Sequence, residues 1–241
     1  QGEKIVYAVL RDKLPDDFIV WYEPRIKTLY PDFVILSPDL GLLILEVKGW
    51  HPGTIELASH DFFHVRWQRS GISKVEAHMS PLKQGQGYFS AVSDKLMSYP
   101  VLCHPDGNYK GRLAFPIGVG AVMSNMTEAQ AREHNIYPVL EKPQVAYRDE
   151  LLEWENLSDR LLLQRLKEMF TVRFPFYTLT SDQISTIRGL LYPIISPVPT
   201  DIREVSATSN SVSDDVTTPL PPNSHVIVTL DFEQEKLARS L

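Results

Sequence analysis

Asp32, Glu46 and Lys48 are the residues of this chain whose types and spacing suggest shared chemistry. Glu46 and Lys48 stand two apart in the run GLLILEVKGW. On a β-strand, alternate side chains project from one face, so these two share a face while Val47 points the other way. The surrounding stretch, residues 30–50, reads YPDFVILSPDLGLLILEVKGW. It holds two apolar runs, 33–36 and 42–47, around Ser-Pro-Asp-Leu-Gly, which is turn chemistry. The pattern predicts a β-hairpin with a five-residue loop, its second strand apolar on both faces and therefore inside a covered sheet. If Leu36 pairs with Leu42, the register sets Asp32 opposite Glu46.

Two carboxylates and a lysine then crowd one spot at the end of a buried hairpin. Burying charge without partners costs several kcal/mol, so the cluster calls for an explanation. A hard divalent cation is one: Mg²⁺ takes oxygen ligands from one or two carboxylates and keeps waters for a substrate phosphate. A lysine beside it can position or activate an attacking water, or neutralise phosphate charge. The plainer reading is a Glu-Lys pair at a strand end with Asp32 capping a turn. The tripeptide alone favours that plainer reading, because Glu-x-Lys is very common. The whole arrangement, Pro31-Asp32, apolar hairpin, then Glu46-Val47-Lys48, is more specific, and it resembles the signature of the PD-(D/E)xK nuclease superfamily.

The elements around the hairpin follow from periodicity. Residues 2–14 place Ile5, Val6, Val9 and Leu10 at helical spacing, ended by Pro15. Glu3 falls in the first turn, where the helix dipole favours an acid. Residues 17–25 read as a first strand. After the break at 49–53, residues 54–57 and 62–67 are short strand candidates. Residues 80–99 form a helix entered through Pro81, with Gln84 and Tyr88 on one face. Residues 114–124 read as a central strand, 127–130 as a capping box opening a short helix, and 144–147 as a last strand. In the amphipathic run 156–170, Leu161, Leu162, Leu166 and Met169 fall in step. Another helix covers 181–191, opened by Thr180 and Gln183. His51, His60 and His64 lack the spacing of a zinc motif.

Composition bounds the rest. A chain of 241 residues with 43% hydrophobic and 22% charged residues is an ordinary globular protein able to bury a core. A single cysteine, Cys103, excludes an internal disulfide and fits a reducing, cytoplasmic setting. No apolar run approaches the ~20 residues of a membrane span. Gln1 is not a methionine, so the natural N-terminus is expected upstream. The net charge of −6 disfavours a protein that coats DNA. A local surplus of +2 lies in residues 61–90, where Arg66, Arg69, Lys74 and Lys83 outnumber Asp61 and Glu76. These four are the candidate DNA-backbone contacts, and a merely solvated face is the other account of them.

The expected organisation is one domain over 1–195, a Ser/Thr/Pro-rich linker over 196–224, and a new ordered segment over 225–241. That last segment resembles the stretch before the phosphate loop of superfamily-one helicases, where a glutamine, here Gln234, reads adenine. No G-x-x-x-x-G-K-[ST] occurs, so ATPase activity is not expected of this chain alone. The segment points to a helicase domain in the same parent chain.

Together Gly2-Glu3, Pro31-Asp32, Glu46-Val47-Lys48, Pro81-x-x-Gln84 and the Gly118-x-Gly120-x-Val122 run resemble the nuclease-related domain, a branch of the PD-(D/E)xK fold. The likeness covers residues 1–150 well and 150–195 loosely. It implies an α/β, restriction-endonuclease-like core with a mixed β-sheet flanked by helices. It implies Mg²⁺ or Mn²⁺ on Asp32, Glu46 and Val47, and DNA phosphodiester hydrolysis through Asp32, Glu46 and Lys48. Glu3 is similar to a first-helix glutamate that reaches the metal in related nucleases. Gln84 and Tyr88 resemble a Gln-x-x-x-Tyr element that orients the lysine or contacts substrate DNA. The alternative is a fold that has lost activity and serves as a DNA-binding tether or autoinhibitory domain for a helicase. The intact Asp32, Glu46 and Lys48 speak for activity. The sequence sets no oligomeric state.

Overall fold

The two apolar runs of the hairpin become the buried middle of the molecule. In the computed structural model, which describes residues 1–69, 71–191 and 227–229 apart from the side chains of Arg69 and 227–229, strand β2 spans Phe33–Ser37 and β3 spans Gly41–Lys48. Every residue of both is buried except Lys48, which is half-buried, as expected of a strand covered on both faces. They pair antiparallel in the register Leu36↔Leu42 through Phe33↔Leu45. Ser37 also pairs with Gly41, so the loop is three residues, 38–40, not the five expected. The Ser37 hydroxyl accepts the amides of Asp39 and Leu40, and Gly41 sits at φ +88°, where a side chain would strike the Pro116 carbonyl.

The main sheet is mixed, with order β8-β7-β3-β2-β1 and β9 beyond β1; β1 is Ile19–Tyr22, β7 Ile117–Met123, β8 Val145–Tyr147 and β9 Ile227–Thr229. β7 runs parallel to β3 with Glu46↔Ala121, and β9 runs parallel to β1. Alternation sorts the hairpin residues into two cores. Phe33, Ile35, Leu43, Leu45 and Val47 meet helix α1 (Gly2–Lys13), α4 (Arg148–Trp154) and α5 (Asp159–Glu168). Val34, Leu36, Leu42 and Ile44 meet α2 (Pro81–Met97) and α6 (Ser181–Leu191). The result is a mixed sheet flanked by helices, consistent with a restriction-endonuclease-like core.

A second sheet of three antiparallel strands, β4 (Ile55–Ala58), β5 (Phe62–Arg69) and β6 (Ile72–Met79), packs by Phe63 and Val65 against Trp50 and the far ends of β7 and β8. Its outer half is exposed on both faces. Strand β6 and helix α4 lie where the sequence predicts no element, and β1 is shorter than the 17–25 run. Helix α3 (Glu128–Glu133) opens with the full Thr127/Gln130 capping box, and Thr180 and Gln183 cap α6 the same way. Leu161 is 51% exposed rather than part of the inward stripe, because Leu162, Leu166 and Met169 already fill that face of α5. Residues 196–224 and, apart from β9, residues 225–241 with Gln234 lie outside the described residues.

Candidate active site

Where β2 begins and β3 ends, the hairpin changes from hydrocarbon to charge. Leu42, Ile44, Glu46 and Lys48 share the face of β3 that looks toward α2, and Val47 packs on the opposite side with α1. Asp32 precedes Phe33, whose partner is Leu45, so continuing the register sets Asp32 opposite Glu46. The Asp32 carboxylate (Oδ2) accepts the Val47 amide at 2.6 Å. Lys48 Nζ bonds Glu46 Oε1 at 2.5 Å, while Glu46 Oε2 is buried with no partner. Glu46 is 1% exposed, a carboxylate inside the core with half its acceptor capacity unmet.

Electrostatics follow from that burial. It raises the Glu46 carboxyl to about 7, with Lys48 opposing and the Asp32 charge adding. Burial also lifts Asp32 to about 6, against the Val47 amide and Lys48, with Glu3 and Glu23 contributing like charge. Raised carboxyls beside a lysine mark a candidate functional site, a pattern that structural ion-pair networks share.

The helices complete the surround. Pro81 starts α2, and Gly85 lets it lie close on β7, since a methyl there would come within 2.4 Å of Val119 Cγ1. One turn along, Gln84 Nε2 donates to Tyr88 Oη at 2.5 Å, and Tyr88 Oη donates to the Tyr30 carbonyl at 3.3 Å. Tyr88 is buried, and burial together with the charges of Glu46 and Asp32 raises its phenol. Glu3, on α1, lies on the other side of the sheet and accepts the Tyr22 hydroxyl at 2.9 Å, which raises the Tyr22 phenol further above its burial-raised value. Its charge still reaches Asp32.

The candidate DNA contacts sit apart, on and beside the small sheet. Arg66 is ion-paired with Glu56, Lys74 with Glu76 at 2.8 Å, and Lys83 with Asp61 at 3.2 Å; the Arg69 side chain lies outside the described residues. Exposed pairs of this kind are worth ~0–1 kcal/mol and exchange readily for another anion.

One neighbour escaped the sequence reading. Glu23 follows β1 at φ +45°, a left-handed backbone rare for a non-glycine residue, and donates its amide to the Asp32 carbonyl at 2.8 Å. Nothing in Glu23-Pro24 signals that conformation. Among the described residues no group of three or more His, Cys, Asp or Glu side chains is placed to hold a metal, and no helix is long and apolar enough to cross a membrane.

Residues 1–116, from α1 through the hairpin and α2, match the family model of the nuclease-related domain. No curated protein and no solved structure matches the chain.

Proposed function

We propose that the chain is the nuclease part of a DNA-processing or repair enzyme, a metal-dependent deoxyribonuclease of the PD-(D/E)xK type. The observation that carries the reading is the bare, buried Oε2 of Glu46, facing the same side as Lys48 and opposite Asp32 in register. The donor set would suit a hard cation: two carboxylates and the Val47 carbonyl, with water supplying the remaining positions. When bound there, Mg²⁺ or Mn²⁺ would polarise the scissile phosphate and lower the pKa of a water.

The chain's own groups then have separable tasks. Glu46 and Asp32 offer negative charge held in place by the β3 backbone. Lys48, tied to Glu46, puts an ammonium where charge develops on the phosphate oxygens during in-line displacement. Gln84 lies on the face of α2 toward the same spot. Arg66, Lys74 and Lys83 can trade their surface carboxylates for the DNA backbone. The resemblance of residues 225–241 supports a helicase domain in the same parent chain, with Gln234 facing its nucleotide.

The test is cleavage of labelled single- and double-stranded DNA in Mg²⁺, Mn²⁺ or EDTA by the wild type, Glu46→Gln and Lys48→Met. Products are expected from the wild type with either cation only. Cleavage that survives EDTA or Glu46→Gln would move the site elsewhere. A second reading, an inactive DNA tether, draws on the pairing of Arg66, Lys74 and Lys83 with acids; DNA binding without cleavage would select it.

A further inference from the structure

We propose that Tyr88 is a positioning residue that sets Asp32 through the main chain of Tyr30. Asp32 lies just before the β2 ladder begins, where the Glu23 amide holds its carbonyl at 2.8 Å but no ladder bond sets its side chain. Its carboxylate nonetheless meets the Val47 amide at 2.6 Å. Residues 24–31 leading to it form no strand or helix, only a turn closed by Ile26 and Leu29 over a buried Ile26, and the Tyr30 side chain is 53% exposed, so that ring does not anchor the segment. A polar group also reaches it from α2: the Tyr88 hydroxyl, at 3.3 Å from the Tyr30 carbonyl. Pro31, between the two, has no N–H to tie down.

The tyrosine is well held. Its ring packs in the α2-side core with Val92 and Ile44, and Gly85 sets how close α2 lies to the sheet. Gln84 Nε2 donates to Tyr88 Oη, which commits the phenol proton to the Tyr30 carbonyl. The relay Gln84, Tyr88, Tyr30 thus connects the α2 scaffold to the carboxylate two residues further on. Tyr88 spends its hydroxyl inside the protein rather than on substrate.

The inference deepens the nuclease reading, and its test is chosen to fail separately. Tyr88→Phe removes the hydroxyl and keeps the ring. In metal-free protein, amide hydrogen exchange at Val47 reports whether Asp32 still holds its bond, and Ile44 in the same strand reports general loosening. One neutral hydrogen bond corresponds to roughly a three- to tenfold change. Val47 should exchange about that much faster in Tyr88→Phe, with Ile44 unchanged and Mn²⁺ affinity by calorimetry lowered by a similar factor. Unchanged Val47 exchange overturns the inference, as does equal acceleration of Val47 and Ile44. Weaker DNA binding with Val47 exchange unaltered also overturns it, in favour of a substrate contact. A wild type that binds no Mn²⁺ would defeat the nuclease reading and leave the exchange comparison intact.

Discussion

Replacing Glu46 by Gln should make the metal-free protein more stable at pH 8 and no more stable at pH 5. Folding takes a carboxylate into a site 1% exposed, and burial raises its pKa from 4.5 to about 7. A group whose folded pKa lies above its unfolded value favours the native state while protonated. That contribution is complete below about pH 4 and is lost as pH climbs through the folded value near 7. Above it, the native protein carries the cost of a buried charge, about 3 kcal/mol at most from the size of the shift. The Lys48 bond already offsets part of the charge, and the amide oxygen of Gln keeps an acceptor for that ammonium. A net gain of about 1–3 kcal/mol remains, or ~2–12 °C in Tm for a domain of this size.

Thermal unfolding followed by circular dichroism in EDTA from pH 5 to 8 measures it. The gap between variant and wild type should open as pH rises through 7. Asp32→Asn should show the same shape about one pH unit lower, since burial lifts that carboxyl only to about 6. With Mn²⁺ at a hundredfold its Kd, the wild type should gain about 2.7 kcal/mol and the Gln variant much less, reversing their order. A Glu46→Gln protein less stable than wild type at pH 8, or a gap that ignores pH, would refute the assignment of a bare buried charge.

Two further outcomes test the frame around the site. Gly85→Ala should destabilise the protein by about 1–3 kcal/mol in urea unfolding, because the new methyl would meet the stiff Val119 side chain at 2.4 Å and lift α2 from β7. Lys83→Ala should weaken DNA binding by anisotropy in Ca²⁺ and flatten its salt dependence by about one charge, and an unchanged salt slope would remove Lys83 from the interface.

The hairpin was legible because its evidence was redundant: apolar on both faces, turn residues between, and a register that only one alignment of Leu36 and Leu42 satisfies. The loop came out shorter because Ser37 caps it from within the ladder and Gly41 can turn at positive φ, both local effects below the resolution of a pattern. Strand β6 was hidden for the opposite reason. ISKVEAHM is exposed along nearly its whole length, so burial imposes no clean period, and its strand state comes from pairing with β5. Helix α4 buries only Leu151 and Trp154 within a single turn, too short a stripe to read as a helix. In the site, alternation and register carry Asp32, Glu46 and Lys48, whereas Glu23 and the Tyr30 carbonyl act through main chain, which side-chain types do not encode.

What separates the hairpin end from an ordinary strand-end ion pair is the accounting of its oxygens. Among the described residues, three buried side-chain oxygens lack a hydrogen-bond partner: Glu46 Oε2, Ser80 Oγ and Glu150 Oε2. Glu150 Oε2 lies 3.0 Å from Lys142 Nζ, close enough to be neutralised whatever the bond angle, and Ser80 carries no charge. Glu46 Oε2 is therefore the buried anionic oxygen left bare. In a simple exposed Glu-Lys pair the second oxygen reaches water. Instead β3 holds Glu46 rigidly by its pairing with β2 and β7, and Lys48 occupies one oxygen only. Local rules fail at functional sites because a ligand completes them, and a small cation between Glu46 and Asp32 is the partner proposed for these oxygens.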